Sequence, residues 1–308
     1  MNKELLTCKI CGESVIENNH YYRIHGINLK DYMELHFPRQ DLFTGEKLHF
    51  KNLETYFHID FLNKSNLKKY LEKKSVSEVF DYLKNWLIRR KDEKSLNYAP
   101  GQFEARSLLF PAISFLIKKY SVAQLYKLFE ESCLKSRYDY TQFLVFDDKE
   151  LEIQIDTRES QHLKFQDINI KIEKLNFGDY CPVPNDRNIF VERKSLNDLC
   201  GTLSKGYERF INEIQRVKEN DAYLIVAVET KYSNIQDFSK FNYMHHTKCS
   251  PDFILKRVRD TYLDYGNNLQ FLAVDGRFEM TRVIKNIFNM KNDIRTVDLQ
   301  YFYDQLLI

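Results

Sequence analysis

The pattern of apolar residues changes after Tyr140, and this change constrains the fold more than any other feature. Leu151, Ile153 and Ile155 alternate with polar residues, which is typical of a half-buried strand. Strand-like and helix-like segments then follow each other along the chain. The predicted strands are 188–194, 222–229 and 268–275, and the predicted helices are 195–220, 250–265 and 279–288. Such alternation predicts an α/β domain with a central mixed sheet flanked by helices.

The 308 residues are enough for two domains and a small extra module. Before residue 140 the apolar residues recur at helical spacing, as at Val79, Leu83 and Trp86. We therefore predict a small metal-bound finger at 1–45, a basic helical region at 46–145 and the α/β domain at 146–308.

The formal net charge of +2 hides an uneven distribution of charge. Residues 61–140 contain 16 Lys and Arg against 9 Asp and Glu. Such a surplus suits the phosphate backbone of DNA, although a solvated helical face gives the same pattern. The candidate DNA contacts are Lys64, Lys68, Lys69, Lys73, Lys74, Arg89 and Arg90, followed later in the chain by Lys205 and Arg209.

Export and membrane insertion are not expected from this sequence. The longest apolar-looking stretch, Leu108–Ile117, is half the length of a membrane span and contains Pro111. The first residues have no apolar core of a signal peptide, and six cysteines are too few for a disulfide scaffold. We expect a reducing compartment, namely the cytoplasm of a bacterial or phage-infected cell, or the nucleus if the source is eukaryotic.

Cysteine and histidine residues near the start of the chain have the spacing of a zinc site. Cys8, Cys11, His20 and His25 form a C-x2-C-x8-H-x4-H pattern, and His36 is an alternative to His25. A segment this short buries little apolar surface, so structural zinc would supply its folding energy. The segment from Cys8 to Pro38 resembles the small fingers of MucR/Ros-type regulators and of finger-bearing phage or homing endonucleases. Contact with DNA and a purely structural role both remain open.

Two carboxylates and a lysine are predicted to converge within the α/β domain. Alternate residues of a strand share a face, so Glu192 and Lys194 project together while Arg193 projects to the opposite side. Asp179 lies 13 residues before Glu192, a gap that fits a hairpin and would place the two carboxylates side by side. Asp156, at the end of the preceding strand, is a candidate third carboxylate.

Converging carboxylates repel each other unless a hard cation neutralises them. Magnesium or manganese accepts such oxygen ligands, and a lysine can orient a water or stabilise charge on a phosphate oxygen. Because magnesium keeps some of its waters, one to three carboxylates suffice to hold it. The pattern favours a metal-dependent phosphodiesterase.

The order D-x-RE, GD-x12-ERK-x3-D resembles the nuclease domain of XPF-type structure-specific endonucleases, a branch of the restriction-endonuclease-like PD-(D/E)xK fold. The matching positions are Asp156, Arg158, Glu159, Gly178, Asp179, Glu192, Arg193, Lys194 and Asp198. The resemblance covers about residues 150–290. It implies catalysis by Asp156, Asp179, Glu192 and Lys194, with Asp156, Asp179 and Glu192 as ligands of magnesium or manganese. It also implies support by Arg158, Glu159, Arg193 and Asp198.

The resemblance further implies cleavage of branched, flap or fork DNA and pairing of two nuclease domains as a homodimer. No paired helix-hairpin-helix signature and no Walker A loop are present, so we expect the finger, the basic region or partner proteins to grip DNA. This architecture resembles that of phage or mobile-element nucleases.

Two other functions remain open. The chain could be a non-catalytic zinc-finger regulator or scaffold built on a nuclease-like fold, although a retired site would be free to lose Asp179, Glu192 or Lys194. It could also be a homing-type nuclease whose finger reads one DNA sequence. Junction-dependent cutting of unrelated sequences would exclude the homing function.

Overall fold

The computed structural model describes residues 88, 91–92, 95–98, 100–107, 144–147, 150–238, 241 and 249–308. The chain divides into two compact units, Met1–Trp86 and Leu87–Ile308, and every described residue belongs to the second. Several predicted residues lie outside the described part of the chain. They are Cys8, Cys11, His20, His25, Lys64, Lys68, Lys69, Lys73, Lys74, Arg89 and Arg90.

The described residues form a six-stranded sheet with helices on both faces. The strands are β1 (Glu152–Ile155), β2 (Asn169–Ile172), β3 (Tyr180–Val183), β4 (Ile189–Lys194), β5 (Tyr223–Glu229) and β6 (Leu269–Val274). The helices are α1 (Gln102–Ser107), α2 (Leu196–Leu203), α3 (Tyr207–Glu219), α4 (Tyr232–Gln236), α5 (Pro251–Tyr265), α6 (Gly276–Asn289) and α7 (Leu299–Asp304), with a 3₁₀ turn at Ile294–Thr296. No helix among the described residues has the length and apolar character that crossing a membrane requires.

The sheet is mixed, as the sequence predicts. Its strands lie in the order β2-β1-β3-β4-β5-β6. The β1–β3 and β3–β4 pairs are antiparallel, whereas β1–β2, β4–β5 and β5–β6 are parallel. The antiparallel β3–β4 hairpin therefore lies in the middle of the sheet, where both of its neighbours hold it in place.

Apolar residues of the central strands supply two cores, one on each face of the sheet. In β5, Val226 lies in the core beneath α2, α3 and α5, and Ile225 lies in the core beneath α6 and α7. The residues from Tyr223 to Val228 are all buried, which explains why this strand reads as a continuous apolar run. The two cores fix the central strands from both sides.

The predicted strands and helices of the α/β domain are confirmed with one interruption, and the structure adds β2, α4 and α7, which were not predicted. The helix predicted at 195–220 is interrupted between α2 and α3, where Ser204 leaves the helical conformation (φ −106°, ψ −96°) and the Gly206 amide donates to Gly201 O. Strand β2 was not predicted. The alternation of Ile168, Ile170 and Ile172 was present in the sequence, but β2 is an exposed edge strand, so burial gave no further signal.

Helix α1 belongs structurally with the sheet, although its residues were assigned to the helical region at 46–145. Phe103 is 1% exposed, and its ring lies 5.6 Å from that of Phe271 in β6 and 4.9 Å from that of Tyr232. The Gln102 amide donates to Asp298 Oδ2 at 2.6 Å. The core under β6 therefore includes residues from well before position 146.

Candidate active site

The β3–β4 hairpin positions the central carboxylate. The Asp179 amide donates to Val191 O at 2.8 Å, and the Arg193 amide donates to Asp179 Oδ2 at 2.8 Å. Gly178 allows this close approach, since it has a φ of +59° and a Cβ there would lie 2.9 Å from Val191 O. The predicted hairpin is thus confirmed, and it brings Asp179 next to the Glu192–Arg193 segment of β4.

Glu192 and Lys194 form an ion pair at the end of β4. The Lys194 Nζ atom donates to Glu192 Oε1 at 2.7 Å, and the two side chains are only 13% and 17% exposed. Burial raises the pKa of Asp179 well above its ordinary value, and the negative charge of Glu192 raises it further. The side chains of Asp179, Glu192 and Lys194 therefore lie together in one half-buried site at the hairpin, as their spacing predicts.

Arg193 has different partners from its two neighbours, as expected for a residue on the opposite side of the strand. Its guanidinium donates to Glu229 Oε2 at 2.7 Å and to Glu159 Oε1 at 3.2 Å. Burial alone would lower the pKa of Arg193, but the hydrogen bond to Glu229 and the charge of Glu159 outweigh it and raise that pKa. Arg193 and Glu159 thus connect β4 to β5 and to the loop after β1.

Both oxygens of the Asp156 carboxylate already accept hydrogen bonds from other protein groups. Its Oδ1 atom accepts hydrogen bonds from the Arg158 amide at 2.7 Å and from Arg158 Nε at 2.6 Å. Its Oδ2 atom accepts from the Leu175 amide at 2.6 Å and from Arg158 Nη2 at 3.1 Å. Burial raises the pKa of Asp156, but these hydrogen bonds outweigh burial and lower it.

Asp156 is still close to the hairpin through its backbone, because its amide donates to Asp179 O at 2.9 Å. The predicted metal contact of Asp156 remains a prediction. Its four hydrogen bonds favour a role in holding the loop that follows β1 against the segment that precedes β3.

Asp198 lies at the start of α2, directly after the ion pair. The Asp198 amide donates to Ser195 Oγ at 3.1 Å, and that hydroxyl donates to Asp198 Oδ2 at 2.6 Å. This reciprocal cap fixes the first turn of α2 against the end of β4. Asp198 thus orients the segment that follows Lys194.

Lys205 and Arg209 are exposed near the start of α3. Their exposure leaves both side chains accessible to a phosphate backbone. A contact with DNA stays a prediction for these two residues.

Glu213 of α3 was not among the predicted residues, but the charges of the site act on it. It is half-buried and interacts electrostatically with Glu192, Lys194 and Arg158. Burial raises the pKa of Glu213, and the charge of Glu192 adds to that effect. Its sequence signal was weak, consisting of the helical spacing that places Glu213 on one stripe of α3 with Arg209 and Arg216.

The chemistry of this site fits a hard divalent cation. No group of three or more His, Cys, Asp or Glu side chains is arranged to hold a metal within the described residues, so the predicted trio is not assembled there. Magnesium, however, is commonly held by one or two carboxylates together with waters and substrate phosphate. Asp179 and Glu192 offer such a pair, and a cation would relieve the repulsion that raises the pKa of Asp179.

The segment that carries this site matches a known family model. Residues 146–287, slightly less than half of the chain, match the family model described as the ERCC4 domain. This match to the ERCC4 domain agrees with the resemblance to XPF-type nuclease domains noted from the sequence.

Solved structures similar to this chain include XPF from Aeropyrum pernix and the same protein in complex with DNA. The sequence identities are 19% and 20%, and both TM-scores are 0.33. Each match covers 44% of this chain, and the matches cover 59% and 62% of the solved chains, so this chain spans about three fifths of their length. No curated protein matches the sequence.

Proposed function

We propose that the protein is a divalent-cation-dependent DNA endonuclease that hydrolyses phosphodiester bonds in branched, flap or fork DNA. The observation that carries the proposal is the convergence of Asp179, Glu192 and Lys194 at the β3–β4 hairpin. The ERCC4 domain match supports it, because the three residues stand within the matched segment.

Asp179 and Glu192 would hold the cation, which supplies polarisation of the phosphodiester and activation of a water. Lys194 is placed to orient the attacking water and to stabilise negative charge that develops on a phosphate oxygen. Asp156 and Arg158 would hold the loop beside Asp179. Arg193, Glu159 and Asp198 would keep β4 and the start of α2 in position.

The proposed binding of DNA also involves parts of the chain outside this site. Lys205 and Arg209 are exposed near the start of α3. The zinc finger and the basic region predicted before residue 146 would add further contacts with DNA. Pairing of two copies through the nuclease domain belongs to the same proposal. The mass of the particle in solution, measured by light scattering, tests that pairing.

The testing experiment compares the wild type with Asp179→Asn on labelled flap, fork, Holliday-junction and plain duplex DNA. Each reaction contains magnesium, manganese or EDTA. The matched control is Asp186→Asn, which changes an exposed aspartate that precedes the other end of β4. We expect cation-dependent cutting of branched DNA by the wild type and the control, and a loss of at least about a hundredfold in Asp179→Asn.

Full activity of Asp179→Asn would contradict the assignment of the active site. Cleavage in the presence of EDTA would contradict the requirement for a divalent cation. Cutting of plain duplex at one sequence would replace the branched substrate with a homing-type activity. Zinc-dependent DNA binding without cleavage of any substrate would favour the non-catalytic regulator.

A further inference from the structure

An arginine of α5 lies over two aromatic rings at the surface of the domain. The Arg257 guanidinium carbon is 4.1 Å from the centroid of the Tyr207 ring and 5.4 Å from that of the Phe253 ring. We propose that these three residues, the Arg257 cluster, bind the unpaired strand of flap or fork DNA by stacking on its bases. The proposal rests on the proposed function and assigns to it the residues that recognise the branched substrate.

The guanidinium of Arg257 keeps its hydrogen-bond donors for a ligand. Among the described residues it has no hydrogen bond and no ion pair, and Asp260 on the same helix pairs with Lys256 at 3.4 Å. In contrast, carboxylates hold Arg158 and Arg193. Because a guanidinium carries five N–H donors in one plane, Arg257 can stack on a base with its face and donate to a phosphate with its edge.

The Arg257 cluster is accessible and lies in basic surroundings. The Phe253 side chain is 37% exposed, and Lys205 and Arg209 are exposed on either side of Tyr207 in the sequence. Proteins bind single-stranded DNA through aromatic rings and arginines that stack on bases, together with basic groups along the phosphates. A duplex stacks its bases on one another, so only an unpaired strand can present base faces to the cluster.

The Tyr207 ring is fixed before any strand arrives. It packs against the core, and its hydroxyl lies 3.4 Å from Thr261 Oγ1 on α5. Arg257, which lies on the same helix as Thr261, stacks on this fixed ring. Because the platform is ordered in advance, stacking of a base on it costs little conformational entropy.

The Arg257 cluster lies on the same face of the sheet as the carboxylate–lysine site. Glu192 and Lys194 share a side of β4 with Phe190, which packs in the core beneath α2, α3 and α5. The Gly206 amide donates to Gly201 O at 3.0 Å, so the start of α3 lies beside the middle of α2. Since α2 begins directly after Lys194 and spans only about 8 Å up to Gly201, one strand can extend from the cluster to the site.

The first experiment measures binding of fluorescent DNA to the full-length protein in EDTA, where the proposed cleavage does not occur. The DNAs are a fork, its unpaired arm as a free single strand, and a plain duplex. Arg257→Gln and Phe253→Ala should each raise the dissociation constants for the fork and the single strand roughly tenfold, the scale of one lost stacking contact. The dissociation constant for the duplex should stay unchanged.

The matched controls change an exposed aromatic and an exposed basic residue on the opposite face of the sheet. Phe278→Ala removes a ring that is 82% exposed at the start of α6, and Lys285→Gln removes a positive charge from the same helix. Both variants should bind all three DNAs like the wild type. Equal losses in the controls and in the cluster variants would overturn the proposal.

Arg257→Lys separates stacking from charge, because lysine keeps the positive charge but has no plane. It should lose most of the affinity for the single strand that Arg257→Gln loses. Wild-type affinity in Arg257→Lys would show that charge alone acts at this position and would overturn the stacking role.

Three further results would contradict the proposal. An equal loss of affinity for duplex and single strand would make the cluster a general DNA-binding surface. Wild-type affinity in both Arg257→Gln and Phe253→Ala, at unchanged melting temperatures, would leave the stack with a structural role only. A change in particle mass in Phe253→Ala, measured by light scattering, would identify the surface as a protein contact. Phe253→Ala decides the matter if Arg257→Gln does not fold, because Phe253 is exposed.

Binding in EDTA also separates this proposal from the proposed function. If the wild type cuts flap or fork DNA and the cluster variants bind the unpaired strand normally, the role of the cluster alone fails. If the cluster variants lose the unpaired strand but the wild type cuts no DNA, the proposed cleavage fails and the cluster remains a binding surface. A wild type that binds none of the three DNAs contradicts both.

Discussion

At the scale of single residues, Asp156 shows how a carboxylate in a nuclease motif can serve the fold. Its side chain is 1% exposed and accepts hydrogen bonds from two backbone amides and one arginine. These groups favour the ionised form, so the pKa of Asp156 is lower in the folded chain than its ordinary value of 3.8. Asp156 therefore stabilises the fold above pH 4, and this contribution disappears as the pH falls through its folded-state pKa.

Asp156→Ala should lower the free energy of unfolding by about 2–3 kcal/mol at pH 7, because the Leu175 and Arg158 amides lose their acceptor. The difference from the wild type should shrink below pH 4. Urea titrations at pH 7 and pH 3 measure both values. Glu150→Ala, which removes an exposed carboxylate, is the control. An equal loss at both pH values would show that the charge of Asp156 is irrelevant to stability.

The carboxylate–lysine group was predictable because it is local. Glu192 and Lys194 share a face through the two-residue period of a strand, and Asp179 joins them across one hairpin. Glu213 was not predictable to the same degree, because its electrostatic interaction with Glu192 and Lys194 depends on how α3 packs on the sheet. The hydrogen bonding of Asp156 was not predictable either, because one of its donors, the Leu175 amide, lies 19 residues further along the chain.

At the scale of elements, the turn before β3 controls where Asp179 is placed. Gly178 adopts a left-handed conformation, and a Cβ added at this position would lie 2.9 Å from Val191 O. A side chain at this position would either strain the backbone or move the hairpin.

Gly178→Ala should therefore destabilise the protein by about 1–3 kcal/mol and weaken manganese binding as Asp179 moves. Thermal unfolding and manganese titration measure the two effects. The matched control is Gly201→Ala in α2, where a Cβ meets nothing within 4 Å. That change should be neutral or stabilising by up to about 1 kcal/mol, since alanine favours helices over glycine. Equal stability of the two variants would contradict the constraint at Gly178.

Apolar periodicity predicted most of the sheet and the long helices, but it missed the short helices α4 and α7, although both have buried residues. Strands β1, β4, β5 and β6 followed from it directly. The interruption between α2 and α3 did not, because the backbone of Ser204 leaves the helical conformation there while the apolar spacing is unchanged. The exposed edge strand β2 has little burial to impose a pattern.

At the scale of the molecule, the sheet incorporates a helix from far earlier in the chain. Phe103 of α1 lies among Phe271 and Tyr232, beneath β6. Alternation of strands and helices after residue 140 predicted the mixed sheet, but it could not predict this helix, because α1 is six residues long and separate in sequence. Strand order was also beyond prediction, since it depends on which edges pair in space.

Phe103→Ala should lower the free energy of unfolding by about 3–5 kcal/mol, because it opens a cavity in the core. Phe278→Ala is the matched control, since Phe278 is 82% exposed, and its effect should stay within about 0.5 kcal/mol. Denaturant unfolding of the whole chain measures both. Similar values for the two variants would mean that α1 is not part of the cooperative unit.

The two-sided arrangement of Glu192, Arg193 and Lys194 has an evolutionary consequence. Selection for cleavage would act on Glu192 and Lys194, whereas selection for a folded domain would act on Arg193 through Glu159 and Glu229. In a lineage that lost cleavage activity, Glu192 and Lys194 would accumulate substitutions, whereas Arg193, Glu159 and Glu229 would be retained. Descendants of this domain that retain only the arginine would thus record former nucleases.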